Sequence, residues 1–171
     1  PEFIEKDVLS TLPKSTTIAL GLESSDPEVM EVSIRKGFTP NDAKRAGELA
    51  KDAGLMVRSY LLLKPLYMQE RVAIDSAIDS ARFADPFSDE ISINPVNVQK
   101  IWKRGDYRPP WIWSLIEVFK ELSGTINSRL MSSPSGGGSQ RGVHNCGECD
   151  QRALEAIERF SFTQDVNDLN V

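Results

Sequence analysis

Three short apolar runs, separated by segments with helical periodicity, constrain the fold of this chain more than any other feature. The runs are TTIALGL (16–22), LMVRSYLLL (55–63) and EISIN (90–94). The first run lacks polar alternation, which is typical of a strand that is covered on both faces. Strands with helical connections of this length pair in parallel through right-handed crossovers. The sequence therefore predicts an α/β fold.

Helix caps mark the segments between the runs. Thr39 can cap a helix that has Pro40 in its first position, where a missing N–H costs nothing. Ser25 or Asp26, followed by Pro27, repeats the arrangement at an earlier helix. The expected helices cover 27–37, 40–53, 73–81, 111–122 and 151–160.

Size and charge exclude several classes of protein. The chain has 171 residues, 40% of them apolar, which is enough for one main core. Its net charge of −5 means that any contact with nucleic acid must be local. No apolar run approaches the roughly 20 residues needed to cross a bilayer, and no leader-like segment opens the chain. We therefore expect a soluble, cytoplasmic protein with no membrane contact.

Composition divides the chain into three segments. Residues 1–123 carry the strand and helix patterns, and residues 124–143 are rich in glycine and serine. Residues 144–171 form a tail that contains both cysteines. Within the middle segment, SSPSGGGSQRG (132–142), here named the glycine/serine loop, contains little that could be buried. It is predicted to be either a flexible linker or a loop that orders on a ligand.

Charged residues follow the first two runs, where α/β sheets commonly bind ligands. Glu23 ends the first run, and Arg35 follows the next helix. A carboxylate that accepts hydroxyl hydrogen bonds and a guanidinium that grips a carboxylate could hold one amphoteric small molecule; a surface ion pair is the alternative. Lys64 follows the second run. Its amine is predicted either to contact a substrate phosphate or cofactor carboxylate, or to be a solvated strand end.

The segment KIWKRGDYRPPWIW (100–113) mixes basic and aromatic residues. Cations that neutralise phosphates beside aromatic faces that stack on an unpaired base are typical of RNA binding. The alternative is that the tryptophans are core or interface residues with a solvated basic rim. Arg141, beside the glycine/serine loop, is a further candidate phosphate contact. The basic candidates in the segment are Lys100, Lys103, Arg104 and Arg108.

Both cysteines and the single histidine lie in RGVHNCGECD (141–150). Cys146 and Cys149, spaced C-x-x-C, supply half of a tetrahedral zinc site, and His144 is a candidate third ligand. A redox pair and two ordinary buried thiols are the alternatives. We expect Asp150 to cap the helix that follows.

Several motifs together resemble a known family. GLES, DPEV and RKGFT resemble the middle of a radical S-adenosylmethionine (SAM) barrel. The order of YLLLKP, ISINPVNVQ, WKRGDYRPPW and GGGSQRGVHNCGECD is more specific. From PEFI to FSFTQD, the chain resembles archaeal radical SAM proteins of archaeosine formation, which are relatives of the radical domain of the Elongator catalytic subunit.

The resemblance implies a fold, cofactors and partners. The fold is the carboxyl-side portion of a parallel (β/α) barrel, and the cofactors are SAM and a 4Fe-4S cluster. Glu23 matches the position that touches the SAM ribose, and Arg35 matches the one that meets the methionyl carboxylate. The implied enzyme acts together with a partner archaeosine-synthesis protein on a lysine-modified 7-deazaguanine in tRNA. Its steps are reductive SAM cleavage, hydrogen abstraction and cleavage of a carbon–nitrogen bond.

The chain departs from the family pattern at the cluster. The C-x-x-x-C-x-x-C signature is absent, although three thiolates are needed to hold a 4Fe-4S cluster with one iron open. We therefore expect a fragment that is inactive alone and associates with itself through uncovered strand edges. The region between Gln99 and Tyr107 also looks shortened. The alternative function is a noncatalytic module that binds RNA or docks the partner protein.

Overall fold

A four-stranded parallel sheet is the centre of the structure, a computed structural model that describes residues 4–98, 107–139 and 142–171. Its strands, in spatial as in chain order, are β1 (Thr17–Glu23), β2 (Met56–Leu63), β3 (Glu90–Pro95) and β4 (Arg129–Met131). Each neighbouring pair is parallel, so the carboxyl ends of the strands lie at one edge. The predicted α/β class with a parallel sheet is confirmed.

Helices make the connections between the strands. In chain order they are α1 (Lys6–Ser10), α2 (Pro27–Val29) with a π-helical turn (Met30–Ile34), α3 (Pro40–Asp52), α4 (Glu70–Ala84) with a 3₁₀ turn (Asp85–Phe87), α5 (Ile112–Leu122), and α6 (Asp150–Thr163) with a 3₁₀ turn (Val166–Leu169). None of these described helices is long and apolar enough to span a membrane.

The predicted cap of α3 is confirmed, and the end of the preceding helix differs from the prediction. Thr39 forms a capping box with Asp42, and Pro40 is the first helical residue. The earlier helix, expected to continue to 37, ends at Ile34. The reason is that Arg35 has a left-handed backbone conformation (φ 56°), which a right-handed helix cannot continue, and its N–H closes the last wide turn on the carbonyl of Met30 (2.7 Å).

One face of the sheet packs against the helices. Along β2, Val57, Leu61 and Leu63 are buried on that face, and they alternate with partly exposed residues. The stripe of α4 predicted to be apolar packs there, because Ala73 and Ile74 belong to the same cluster as Leu61. Burial of each large aliphatic side chain stabilises the fold by about 1.5–3 kcal/mol. This layer is the core of the protein.

The opposite face of the sheet is open. In β1, Thr17 and Ala19 are exposed, whereas Leu20 and Leu22 are buried. The expectation that β1 is covered on both faces is therefore wrong for the described chain. The physical reason is visible in the sequence, because the residues on the open side are small or polar. Self-association through uncovered strands stays a prediction.

β4 lies within the segment for which no strand was predicted. It has three residues, of which Leu130 is buried. Asp85 anchors its approach, because its Oδ1 accepts hydrogen bonds from the N–H groups of Asn127 (2.9 Å) and Ser128 (2.8 Å) and from the Ser128 hydroxyl (2.8 Å). A strand of three residues has no recognisable hydrophobic period in the sequence. The approach to it is held by Asp85, which lies 42 residues before Asn127.

The tail helix packs into the main core. The rings of Phe119 in α5 and Phe160 in α6 lie 5.1 Å apart between centroids, and Ile157 is fully buried beside them. Buried residues of α6 belong to the same hydrophobic cluster as those of α4 and α5. The division into 1–123, 124–143 and 144–171 was based on composition and stays a prediction.

Candidate functional site

Backbone strain marks the carboxyl edge of the sheet. Glu23, Arg35 and Lys64, the three residues predicted to contact a cofactor, have φ angles of 66°, 56° and 60°. Among the described non-glycine residues, only Tyr67 and Gln164 share this left-handed conformation. Such a residue costs of order 1–3 kcal/mol and persists where the surroundings over-determine it, which is common at binding sites. The strained residues thus coincide with the candidate site.

Glu23 is held at the end of β1 by Lys36. The pairing register with β2 shifts between Gly21 and Glu23, which marks a bulge at this point. The Lys36 ammonium contacts Glu23 Oε1 and donates to the Gly21 carbonyl (3.3 Å). A Cβ on Gly21 would lie 2.7 Å from Lys36 Nζ, so glycine permits this approach. Glu23 is therefore paired with Lys36, and this contact lies next to Arg35 in the chain.

Arg35 lies beside a surface cavity of about 520 Å³, whose lining also includes Glu31, Phe38 and Asp42. Its Nε donates to the Val32 carbonyl (3.2 Å), and this is the one side-chain hydrogen bond that Arg35 makes to the described residues. The surface ion pair considered for Glu23 and Arg35 does not form, since Lys36 takes that place. The remaining guanidinium N–H groups can bind a carboxylate in two-pronged geometry.

Lys64 belongs to a buried clamp formed by Lys64, Glu70 and Tyr107. The Lys64 ammonium lies 2.8 Å from Glu70 Oε2 and 5.6 Å from the centroid of the Tyr107 ring. The Tyr107 hydroxyl donates to the carbonyls of Lys64 and Pro65, the latter at 3.1 Å. Because Lys64 is 9% exposed, it is not a solvated strand end. Its role as a cofactor contact stays a prediction.

Tyr107 remains a hydrogen-bond donor over the whole physiological range. Burial raises the pKa of the Tyr107 hydroxyl, and the nearby charge of Glu70 raises it further. A protonated phenol can donate to the two carbonyls at the end of β2. The clamp therefore keeps its hydrogen bonds at neutral pH.

The open face of the sheet lines a cavity of about 940 Å³, within the size range of small-molecule sites. Arg58 and Glu90 line this cavity, and Arg58 Nη2 lies 2.6 Å from Glu90 Oε2. Hydrogen bonds to Tyr60 and to Glu90 raise the pKa of Arg58, so its charge is permanent. The cavity is polar on the sheet side, which suits a ligand with hydrogen-bonding groups.

The glycine/serine loop is folded onto the same edge. Asn94 Oδ1 accepts the N–H of Ser133 (3.1 Å), and Asn97 Nδ2 donates to the Ser135 carbonyl (3.1 Å). At the far end of the loop, Val143 is buried and its carbonyl accepts from a loop N–H (2.8 Å). Over its described residues, this segment is an ordered loop that forms one wall of the 940 Å³ cavity.

The cysteine tail contains two free thiols. Cys146 is exposed and Cys149 is half-buried. Cys146 is therefore not an ordinary buried thiol. His144 Nδ1 lies 2.9 Å from the Gly142 carbonyl oxygen. In the described part of the chain, no group of three or more His, Cys, Asp or Glu residues could hold a metal ion. A zinc role for Cys146, Cys149 and His144 stays a prediction, as does a redox role.

Asp150 organises the cysteine turn rather than capping α6. The helix begins at Asp150 itself, and Cys149 occupies the cap position without a side-chain hydrogen bond. The Asp150 carboxylate accepts the N–H groups of Asn145 (3.1 Å) and Gly147 (3.0 Å). The prediction that Asp150 caps the helix is therefore wrong. Asp150 binds Asn145 and Gly147, which precede the helix, because the chain folds back there.

The predicted RNA contacts are described only in part. Lys100, Lys103, Arg104 and Arg141 lie outside the described residues. Arg108 is exposed, and Trp111 and Trp113 are 49% and 40% exposed. The alternative that these two tryptophans are core residues is therefore wrong.

Sequence reasoning missed Lys36, Glu70 and the Arg58–Glu90 pair. Lys36 follows Arg35 directly, so a basic pair after the helix was the available signal. Arg58 interrupts an apolar run, which is a signal for a strand with one polar face. Glu70 had no local signal, because its partners come from two separate parts of the chain, the turn after β2 and the start of α5.

Comparisons with known proteins identify relatives of this chain. No family model matches the sequence. Archaeosine synthase subunit beta of Methanosarcina acetivorans is 43% identical over 164 residues, which are 92% of this chain and 47% of that protein. The protein of the same name from Thermococcus kodakarensis is 40% identical over 171 residues, 95% of this chain and 53% of that protein. The chain thus spans about half the length of these curated relatives.

A solved structure supports the same fold. The Methanocaldococcus infernus Elp3 structure with an N-terminal deletion matches with a TM-score of 0.63 and 21% identity, over 90% of this chain and 38% of that one. The resemblance inferred from the motifs is confirmed, as is the expectation of a partial parallel α/β architecture. The chain is homologous to about half of archaeosine synthase subunit beta, and its fold is that of the matching part of Elp3.

Proposed function

We propose that this chain is the SAM-contacting, carboxyl-side part of a radical SAM enzyme that modifies tRNA in archaeosine formation. The name shared by the relatives supports the pathway, and the word subunit in it supports a partner protein. One observation carries the proposal for the site: Glu23 and Arg35 are held in left-handed conformations at the carboxyl edge of a parallel sheet. The reaction is cleavage of a carbon–nitrogen bond in a lysine-modified 7-deazaguanine of tRNA.

The residues present fit SAM as a ligand. Glu23 supplies a carboxylate that accepts hydroxyl hydrogen bonds of a ribose, and Arg35 supplies a guanidinium that binds the methionyl carboxylate. When bound and reduced, SAM supplies a radical that abstracts hydrogen. Lys36 holds the Glu23 side chain, 15% exposed, in one orientation before the ligand arrives. This chain therefore contributes binding and orientation.

The residues present do not fit a 4Fe-4S cluster. The whole chain has two cysteines, whereas a cluster with one open iron needs three thiolates. We propose that the cluster ligands lie in another part of the functional protein, so that this chain alone is inactive. No step of the reaction is assigned to the C-x-x-C pair.

Arg35→Gly is expected to separate binding from stability. Glycine removes the guanidinium, so the Kd for SAM should rise at least about tenfold in the cluster-bearing full-length protein. Glycine also relieves the left-handed strain, so the free energy of unfolding should stay equal or rise by up to about 1 kcal/mol. Calorimetric titration with SAM and urea unfolding measure the two effects.

Tyr67→Gly is the matched control for that experiment. Tyr67 has the same left-handed backbone (φ 72°) and is 80% exposed, so the substitution gives the strain relief without removing a SAM contact. SAM should bind this variant as it binds the wild type. Unchanged SAM affinity in Arg35→Gly would overturn the cofactor role.

A second candidate function is RNA binding by the tryptophan-bearing start of α5. The favouring observation is that Trp111 and Trp113 are half-exposed next to the exposed Arg108. Stacking of a base on an aromatic ring contributes about 1–3 kcal/mol, so the double variant W111A/W113A should bind tRNA at least about tenfold more weakly. Filter binding at several salt concentrations measures this effect. Equal affinity of the variant would contradict the RNA function.

A further inference from the structure

Glu70 joins two separate parts of the chain at the carboxyl edge of the sheet. We infer that Glu70 is a positioning residue that fixes Trp111 and Trp113 as a stacking surface for an unpaired nucleobase. The nucleobase part of this inference rests on the second proposed function, whereas the positioning part stands on the contacts of the buried clamp alone.

Both carboxylate oxygens of Glu70 are engaged. Oε2 is buried and lies 2.8 Å from the Lys64 ammonium, beyond the end of β2. Oε1 accepts the backbone N–H of Trp111 (2.9 Å) and the hydroxyl of Ser114 (2.6 Å). One side chain thus ties the turn after β2 to the start of α5.

Glu70 supplies a hydrogen-bond acceptor at the start of α5. Trp111 occupies the cap position of α5, and its side chain makes no capping hydrogen bond. The first N–H groups of a helix need acceptors, and negative charge is favourable at that end. The Glu70 carboxylate accepts the N–H of the cap residue Trp111 and supplies negative charge there, while Asn145 Oδ1 accepts the N–H of Trp113. Glu70 is therefore one of the two side chains that hold the start of α5.

The turn on the other side of the clamp is equally constrained. Lys64 is in the left-handed conformation, and the Tyr107 hydroxyl donates to the carbonyls of Lys64 and Pro65. Tyr107 lies four residues before Trp111, so the segment that carries the tryptophans is attached at two points, to the turn after β2 through Tyr107 and to the first residue of α4 through Trp111. Two attachments fix both the position and the tilt of the segment.

The clamp leaves the tryptophan side chains outside. Trp111 and Trp113 are about half-exposed although their backbone N–H groups are bound, that of Trp111 to Glu70 and that of Trp113 to Asn145 Oδ1 (3.4 Å). A fixed backbone with a free aromatic face favours stacking, because less conformational freedom is lost on binding. Arg108, three residues before Trp111 in sequence, is exposed and offers a cation for a phosphate.

The test compares Glu70→Gln with Glu117→Gln in a W102F background of the full-length protein. Glu117 also lies at an ion pair, with Arg71, but on the outer surface of α5, so it controls for the change in charge. W102F leaves Trp111 and Trp113 as the emitters of this chain, which has three tryptophans. Iodide quenching of fluorescence and binding of a fluorescein-labelled tRNA are the readouts.

Glu70→Gln should increase iodide quenching and weaken tRNA binding roughly tenfold, the loss expected for a hydrogen-bonded charge. Glu117→Gln should change neither. In a W111F/W113A background, Glu70→Gln should cause little further loss of affinity, because the positioning effect acts through the tryptophans. A K64M/E70Q double variant removes both charges of the ion pair, so it replaces the single variant in the test if Glu70→Gln unfolds. It should show the same rise in quenching.

Unchanged quenching in both Glu70 variants would overturn the positioning role. Equal loss of affinity with and without the tryptophans would overturn the stacking surface. If the wild type binds no tRNA, the RNA function fails, and the quenching comparison still decides whether Glu70 positions the helix start.

Discussion

Gly142→Ala is expected to lower the free energy of unfolding by about 3 kcal/mol, the upper end of typical overpacking costs. A Cβ at this position would lie 2.1 Å from the carbonyl oxygen of Gly136, 2.5 Å from its carbonyl carbon and 2.9 Å from the Ser135 carbonyl oxygen. These are backbone atoms of the glycine/serine loop, so none can move away by a side-chain rotation. The loop would have to open, and with it the wall of the large cavity. Urea unfolding measures the loss.

Gly137→Ala is the matched control within the same loop. A Cβ there would lie 2.8 and 3.0 Å from the two methyl carbons of Leu154. Those atoms are the end of a flexible side chain and can rotate away, so the cost should stay below about 1 kcal/mol. A Gly137→Ala variant as unstable as Gly142→Ala would contradict the closed packing of the loop.

Asp85→Ala is expected to cost a similar amount, about 3 kcal/mol, because it removes a charged acceptor from two N–H groups and one hydroxyl. Ser128 is 6% exposed, so its N–H would have no water to replace the carboxylate. The loss should appear as release of β4 and of the residues that lead into it. Hydrogen exchange of the amides of 127–131 and urea unfolding are the measurements.

Asp79→Ala is the control for the loss of a carboxylate on the same helix. Asp79 is exposed on α4, and its removal should change the free energy of unfolding by less than about 0.5 kcal/mol. Rapid exchange at 127–131 in both variants would mean that Asp85 is not the anchor of β4.

The same anchor predicts how stability depends on pH. Although burial acts to raise the pKa of Asp85, hydrogen bonds from Ser128 and Asn127 bring it below the ordinary value of 3.8. The pKa of Asp89 is lowered in the same way, against the effect of burial, by Lys51 and by the N–H of Val57. A carboxyl whose folded pKa lies below its unfolded pKa stabilises the fold above the unfolded value.

Stability should therefore be constant above about pH 5 and fall as the pH drops through 3.8 toward the folded pKa values. In Asp85→Ala this decrease should be shallower, because one of the carboxyl groups with a lowered pKa is gone. Urea unfolding at a series of pH values measures the slope, and an unchanged slope would contradict the assignment to Asp85.

Local patterns predicted the elements that depend on neighbours in sequence. The runs that form β1, β2 and β3 each bury alternate or successive apolar residues, and the Thr39 cap needs partners only three residues away. Glu23 and Arg35 were chosen from the sequence as cofactor candidates, because they lie at or just after the end of an element and the order of motifs resembles a family. Their role as cofactor contacts stays a prediction. These features depend on interactions across a few residues.

Contacts between distant residues were not visible in the same way. The strand β4 exists because Asp85 and Ser128 meet, and the clamp exists because Lys64, Glu70 and Tyr107 meet. The one-sided burial of β1 is also a result of where the helices lie. None of these pairings changes the local hydrophobic period from which sequence predictions are made.

By itself, the sequence determined the α/β class, the parallel pairing of its first three strands, the resemblance to the archaeosine proteins and the presence of only two cysteines, because periodicity, caps and motifs are local properties. Only the tertiary structure decided that Glu23 pairs with Lys36, that the Lys64 amine is held by Glu70, and that the described part of the glycine/serine loop is folded. Side chains choose partners by distance in space, and that distance is set when the sheet and helices have packed.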